Sequence, residues 1–179
     1  LSGPEQIVDL LSEDARARGA LLLAPEASLG FGSAFHWSFK QDAHDISVLV
    51  RDLQEAFDVP SERMSLVGYA SGCTTGLCIM AENPGLFGTF VALAMGSAFE
   101  PFDDEESQFP EQLLKKSAGR TRVLFVCDPN EPISTAPQYD QIVSQLRRAG
   151  LVVDVIRPSS RNRNAAEEMK SHALEFMLW

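Results

Sequence analysis

Ten residues, Met64-Ser65-Leu66-Val67-Gly68-Tyr69-Ala70-Ser71-Gly72-Cys73, constrain the fold of this chain more than any other stretch. An apolar run ends in Gly68, Gly72 follows four positions later, and a helix of small residues, Thr74 to Met80, begins at once. A strand that passes into a helix with so few intervening residues must turn sharply. Glycines at both ends of the turn let the two backbones approach, and the residue between them is pushed out at the strand's end in a strained conformation. That central residue is Ala70. Its methyl group offers no chemistry at the place where such a turn would present a reactive side chain.

The flanks extend the pattern. Upstream, Ile46, Leu49, Val50, Leu53 and Phe57 fall at i, i+3, i+4, i+7 and i+11, the apolar face of a helix that begins near Asp45. A turn over residues 58–64 contains Asp58, Pro60 and Ser61. Downstream, Asn83, Pro84 and Gly85 stop the small-residue helix before Leu86-Phe87. Along the rest of the chain strand and helix alternate. A helix is expected from a cap at Ser2 to about Arg18, and short buried strands over residues 20–24, 88–95, 121–127 and 151–156. Further helices are expected over residues 136–148 and 165–178, a long aromatic loop over 25–40, and an acidic excursion over 97–118 that contains Asp103, Asp104, Glu105 and Glu106. Such alternation implies an α/β domain with a parallel sheet covered by helices on both faces.

From Asp45 to Phe87 the order of features resembles the esterase and polyhydroxybutyrate-depolymerase-like branch of the α/β-hydrolases. There an amphipathic helix, a glycine-framed elbow carrying the nucleophilic serine and a Pro-x-Leu-Phe segment follow in the same order, and the likeness continues more weakly to the C-terminus. The resemblance implies an α/β-hydrolase-like three-layer sandwich over a single domain, residues 1–179, with a triad in the order nucleophile, acid, histidine. Ala70 then stands at the nucleophile position, between the elbow glycines Gly68 and Gly72. Ser71 supplies one oxyanion N–H, and its hydroxyl is badly placed to replace the nucleophile because it leaves from the helix's first turn. The acid falls to Glu131, with Asp128 as runner-up, in a loop where Asp128 replaces the family's usual glycine. The loop that should hold the base, residues 157–164, has no histidine, and Arg161 stands at the approximate base position. His172 lies within a helix, and His36 and His44 precede the elbow, out of triad order. Loss of both nucleophile and base implies a catalytically degenerate protein acting in binding or as a structural or regulatory module. The alternative is a carboxylic-ester hydrolase whose nucleophilic serine has been replaced by Ala70.

The same resemblance places a further strand ahead of residue 1, between the strand at 20–24 and the elbow strand. The sheet is therefore expected to lack its N-terminal strands, completed by upstream sequence or by another chain. Phe31, Phe35, His36 and Trp37 sit in a loop that leaves a strand end, where ligands of α/β sheets bind, and could wall a pocket for a small apolar or carboxylate ligand. The formal charge of −10 disfavours nucleic acid and anionic membrane as partners. No cofactor or metal is expected, since Cys73, Cys78 and Cys127 have no ligand spacing. Three thiols read as reduced core residues, and no basic and apolar leader follows Leu1, so a cytoplasmic location is favoured.

Overall fold

The computed structural model describes residues 4–31, 34–95, 114–127, 137–157 and 165–177. Four strands, β3 (Ser65–Tyr69), β4 (Thr89–Leu93), β5 (Arg122–Val126) and β6 (Val152–Ile156), form one sheet in sequence order with every pair parallel. A separate antiparallel hairpin joins β1 (Leu29–Phe31) and β2 (Ala34–His36). Among the described residues the α-helices are α1 (Pro4–Ala17), α2 (Phe39–Phe57), α3 (Gly72–Glu82), α4 (Pro137–Arg148) and α5 (Ala165–Met177).

Strand β4 is buried at every position, as the run Thr-Phe-Val-Ala-Leu demands of a central parallel strand with both faces covered. Phe90 and Ala92 face α3 and α4 in a core with Leu77, Met80, Val123, Phe125 and Leu146. Val91 and Leu93 face the other way, onto Met169, Ala173 and Phe176 of α5. The sheet thus lies between helix layers, an α/β architecture. A third cluster joins α2 to α3 through Ala43, Ile46, Val50, Ile79, Leu86 and Phe87. At that interface Asn83 donates its amide to Ser47 Oγ and to the carbonyl of Ile79 (2.8 Å).

The structure departs from the sequence expectation in the first forty residues. Residues 20–27 form no strand. Leu21 and Leu23 are exposed while Leu22 and Ala24 are half-buried, so the period of two survives without a ladder. The aromatic loop contains the β1–β2 hairpin, and α2 starts at Phe39, six residues ahead of Asp45. The start is fixed by Asp42, nearly buried, whose Oδ2 accepts the N–H of Ser38 at 2.7 Å and that of Ser28 at 3.4 Å. On α2 the expected apolar face is only partly covered: Ile46 and Val50 are buried, but Leu49 and Phe57 are exposed. Asp103 to Glu106 lie outside the described residues.

Helices α1 and α5 are tied by Lys170 Nζ to Asp14 Oδ2 at 2.9 Å, and Arg18 Nη1 reaches Asp14 Oδ1 at 3.1 Å. The Lys170 and Arg18 hydrogen bonds hold the Asp14 carboxyl below its ordinary range, and the Asp14 bond raises Lys170. A depressed carboxylate contributes above its unfolded pKa and stops contributing as pH falls through the folded value; a raised lysine contributes below its unfolded pKa and is lost at high pH. Urea unfolding of Asp14→Asn against the parent is therefore expected to show a constant difference at neutral pH that shrinks below about pH 4. A difference that persists undiminished to about pH 2 would contradict the assignment.

Candidate functional site: the Ala70 turn

Ala70 has φ of 49°, in the left-handed region that an alanine adopts only under constraint. The constraint is visible on both sides. Its N–H donates to Leu93 O on β4 at 3.0 Å, which continues the β3–β4 ladder one residue past the strand. Its own carbonyl accepts the N–H of Cys73 at 3.1 Å, which is already the first turn of α3. One residue thus belongs to both elements, and the chain reverses there.

Gly68 makes this geometry possible. A Cβ on Gly68 would stand 2.6 Å from Cys73 Cα, 2.8 Å from Cys73 N and 2.8 Å from Gly72 O, all backbone atoms. The start of α3 therefore folds directly onto the strand. Gly72 is less restricted: a Cβ there would meet Trp37 Nε1 at 3.7 Å, an ordinary contact. Helix α3 tolerates its small residues because it is buried almost all round, from Cys73 to Leu77 and again from Ile79 to Ala81. Cys73 donates its thiol to Leu93 O at 3.4 Å, a second tie between the turn and the end of β4.

The first bonds inside the helix run from Cys73 N and Thr74 N, so the N–H groups of Ser71 and Gly72 precede the ladder at its positive end. The Ser71 hydroxyl makes no capping bond. Chemically the turn offers backbone donors, a helix dipole and a methyl group. Such a place can hold an oxyanion or a carbonyl oxygen and cannot form a covalent bond to it.

The other expected site residues divide into three groups. Trp37 is half-buried, packs against the α2–α3 cluster and turns its indole Nε1 toward Gly72, so it is brought to the turn. Phe31, Phe35 and His36 are placed by backbone only, on the β1–β2 hairpin, where Phe35 pairs with Gly30 and His36 with Leu29. Asp128, Glu131 and Arg161 lie outside the described residues, although β5 and β6, the strands that lead to them, end beside each other with Cys127 N donating to Ile156 O at 3.0 Å. His44 is exposed on α2 and His172 is half-buried within α5. Asp42 was not singled out from the sequence; the signal available was Ser38 four residues ahead of an acidic residue at a helix start.

Two recessed surfaces occur away from the turn, one near the C-terminus of α2 lined by Arg51, Gln54 and Asp58, the other between α1 and α5 around Lys170. Neither includes a residue of the Ala70 turn. Among the described residues no group of three or more His, Cys, Asp or Glu is placed to hold a metal ion, and no helix is long and apolar enough to cross a membrane. Compared with known protein families and with curated proteins, the chain matches no family model and no curated protein.

Proposed function

We propose that this chain is a catalytically degenerate α/β-hydrolase-type domain that works by binding, or as a structural or regulatory module. One observation carries the reading: an alanine held at φ 49° between a parallel strand and a buried helix, over a glycine that admits no side chain. Backbone strain of this kind costs about 1–3 kcal/mol and persists where the surroundings enforce it, commonly at functional sites. In an elbow the strain exists to expose a nucleophile. Here it presents only a half-buried methyl group, while the helix end and its N–H donors remain. A ligand with a carbonyl or carboxylate oxygen suits those donors. On this reading Arg161 replaces the imidazole base, and Glu131 or Asp128 stands as a carboxylate with no histidine to orient.

The test is ester hydrolysis by the parent chain and by Ala70→Ser, with p-nitrophenyl acetate and butyrate. Neither is expected to turn over above background, because a serine without a base stays protonated and weakly nucleophilic. Turnover by Ala70→Ser at an ordinary enzymatic rate, about 1–1000 per second, would reveal a base and replace this reading with that of an ester hydrolase lacking only its serine.

A further inference from the structure

The Ala70 turn is built of small residues, Ala70, Ser71 and Gly72, all half-buried. The size of what fits against them is therefore set by the larger side chains that face them. Trp37 is such a side chain. Its Nε1 stands 3.7 Å from the place a Cβ on Gly72 would take, and Gly72 directly follows Ser71. The ring is half-buried and packs on the α2–α3 cluster that includes Ala43, Ile46 and Ile79. It forms a wall at the start of α3, on the side of α2.

The wall is anchored through the residue that follows it. Ser38 N donates to Asp42 Oδ2 at 2.7 Å, and Asp42 N donates back to Ser38 O at 2.8 Å. Ser28 N reaches the same carboxylate oxygen at 3.4 Å, so one side chain holds the backbone on both sides of the β1–β2 hairpin. Asp42 is 5% exposed, where few waters compete for these bonds. Farther along α2, Ser47 Oγ accepts the Asn83 amide and ties the helix to α3. Trp37 is therefore held by the apolar cluster at its ring and by Asp42 next to its backbone. Swinging the ring away from Gly72 breaks one set of contacts or the other.

We propose that Trp37 limits the size of the acyl group that is seated at the Ala70 turn, and that Asp42 is the positioning residue that keeps Trp37 there. The proposal rests on the reading of the turn as a place that binds a carbonyl or carboxylate oxygen. With that oxygen on the N–H groups of Ser71 and Gly72, the rest of the acyl group begins close to the indole edge. An acetyl group ends before it reaches the ring. A longer chain has to turn away from α2 or meet the ring, so the turn selects short acyl groups.

The test uses the full 179-residue chain with Ala70→Cys as a covalent reporter. The introduced thiolate attacks the ester carbonyl, a carbon–sulfur bond forms, and the carbon–oxygen bond breaks with release of p-nitrophenolate. Burst rates are measured with p-nitrophenyl acetate, butyrate and hexanoate. The record of the parent chain is subtracted, and each rate is divided by that of free cysteine with the same ester. In the Ala70→Cys chain the corrected rate is expected to fall at least about tenfold from acetate to hexanoate. Adding Trp37→Ala should narrow that ratio to about threefold or less, and Trp37→Phe, a smaller wall, should fall between. Asp42→Ala should narrow the ratio as well, while Asp42→Asn, whose amide oxygen still accepts from Ser38 N, should restore it. A merely structural role for either residue would change all three rates in proportion and leave the ratio alone. The same acetate-to-hexanoate ratio in every variant, or a ratio that widens with Trp37→Ala, would overturn the size limit and leave the turn as a binding place. An unchanged ratio in Asp42→Ala alone would overturn the part assigned to Asp42. No burst with any ester would overturn the reading of the turn itself, and the size limit with it.

Discussion

Gly68→Ala is expected to destabilise the chain by at least about 3 kcal/mol, lowering its midpoint of thermal unfolding by roughly 6–12 °C. The added carbon would stand 2.6 Å from Cys73 Cα and 2.8 Å from both Cys73 N and Gly72 O. None of these atoms is the movable end of a side chain. Relief requires the first turn of α3 to lift off β3, and that turn is held by Ala70 N on Leu93 O and by the Cys73 thiol on the same carbonyl. Gly72→Ala is the control, because its new methyl would make only an ordinary contact 3.7 Å from Trp37 Nε1. Its expected cost is under about 1 kcal/mol. Urea denaturation of the two variants measures both, and a Gly68→Ala protein as stable as Gly72→Ala would mean that strand and helix do not meet as described.

Phe90→Ala is expected to cost about 3–5 kcal/mol, since the ring is fully buried beneath α3 and nothing mobile stands ready to fill the space. Gly76→Ala should be destabilising for the complementary reason: its Cβ would stand 2.6 Å from Phe90 Cε2 and 3.0 Å from Phe90 Cζ. The combination is diagnostic. With the ring removed, the Gly76 methyl enters space that the ring occupied, so the double variant should lose at least about 1 kcal/mol less than the two single losses added together. Strict additivity in the urea-derived free energies would show that Gly76 and Phe90 are not in contact, and that α3 sits elsewhere on the sheet.

The turn at Ala70 was legible in the sequence because its determinants are local. Gly68, Ala70 and the small residues after Gly72 lie within a single strand-to-helix passage, and glycine is required at Gly68 by contacts only four and five residues away. The four sheet strands were legible because each is a short continuous apolar run bounded by turn residues. Residues 20–24 show the same composition and form no strand. A strand is stabilised by a partner distant in sequence, and no partner for these residues occurs among the described ones, so composition alone misleads there. The start of α2 was missed for another reason. Its apolar periodicity begins at Ile46, but the helix is nucleated earlier by Asp42 on the backbone of Ser38, a polar bond that hydrophobic periodicity does not register. Gly72, expected to be as restricted as Gly68, is not, since what faces it is the edge of Trp37, contributed by a loop more than thirty residues away.

On the proposed reading, the turn at Ala70 is the frame of a nucleophile elbow without the machinery that would make it turn over. The time course of p-nitrophenyl acetate cleavage by Ala70→Cys tests both halves at once. A thiol at this position needs no histidine: the N-terminal end of α3 favours the thiolate, which attacks the acetyl carbonyl, forms a thioester and expels p-nitrophenolate. Release of the acetyl group would need water activated by a base. The expected record is a burst equivalent to one p-nitrophenolate per chain beyond that of the parent, whose Cys73 and Cys127 are buried and whose Cys78 is half-buried, followed by no turnover. Absence of a burst would deny that the half-buried position of residue 70 is reachable and activated. Continued turnover after the burst would show that a base serves it, and would contradict the reading of a degenerate site.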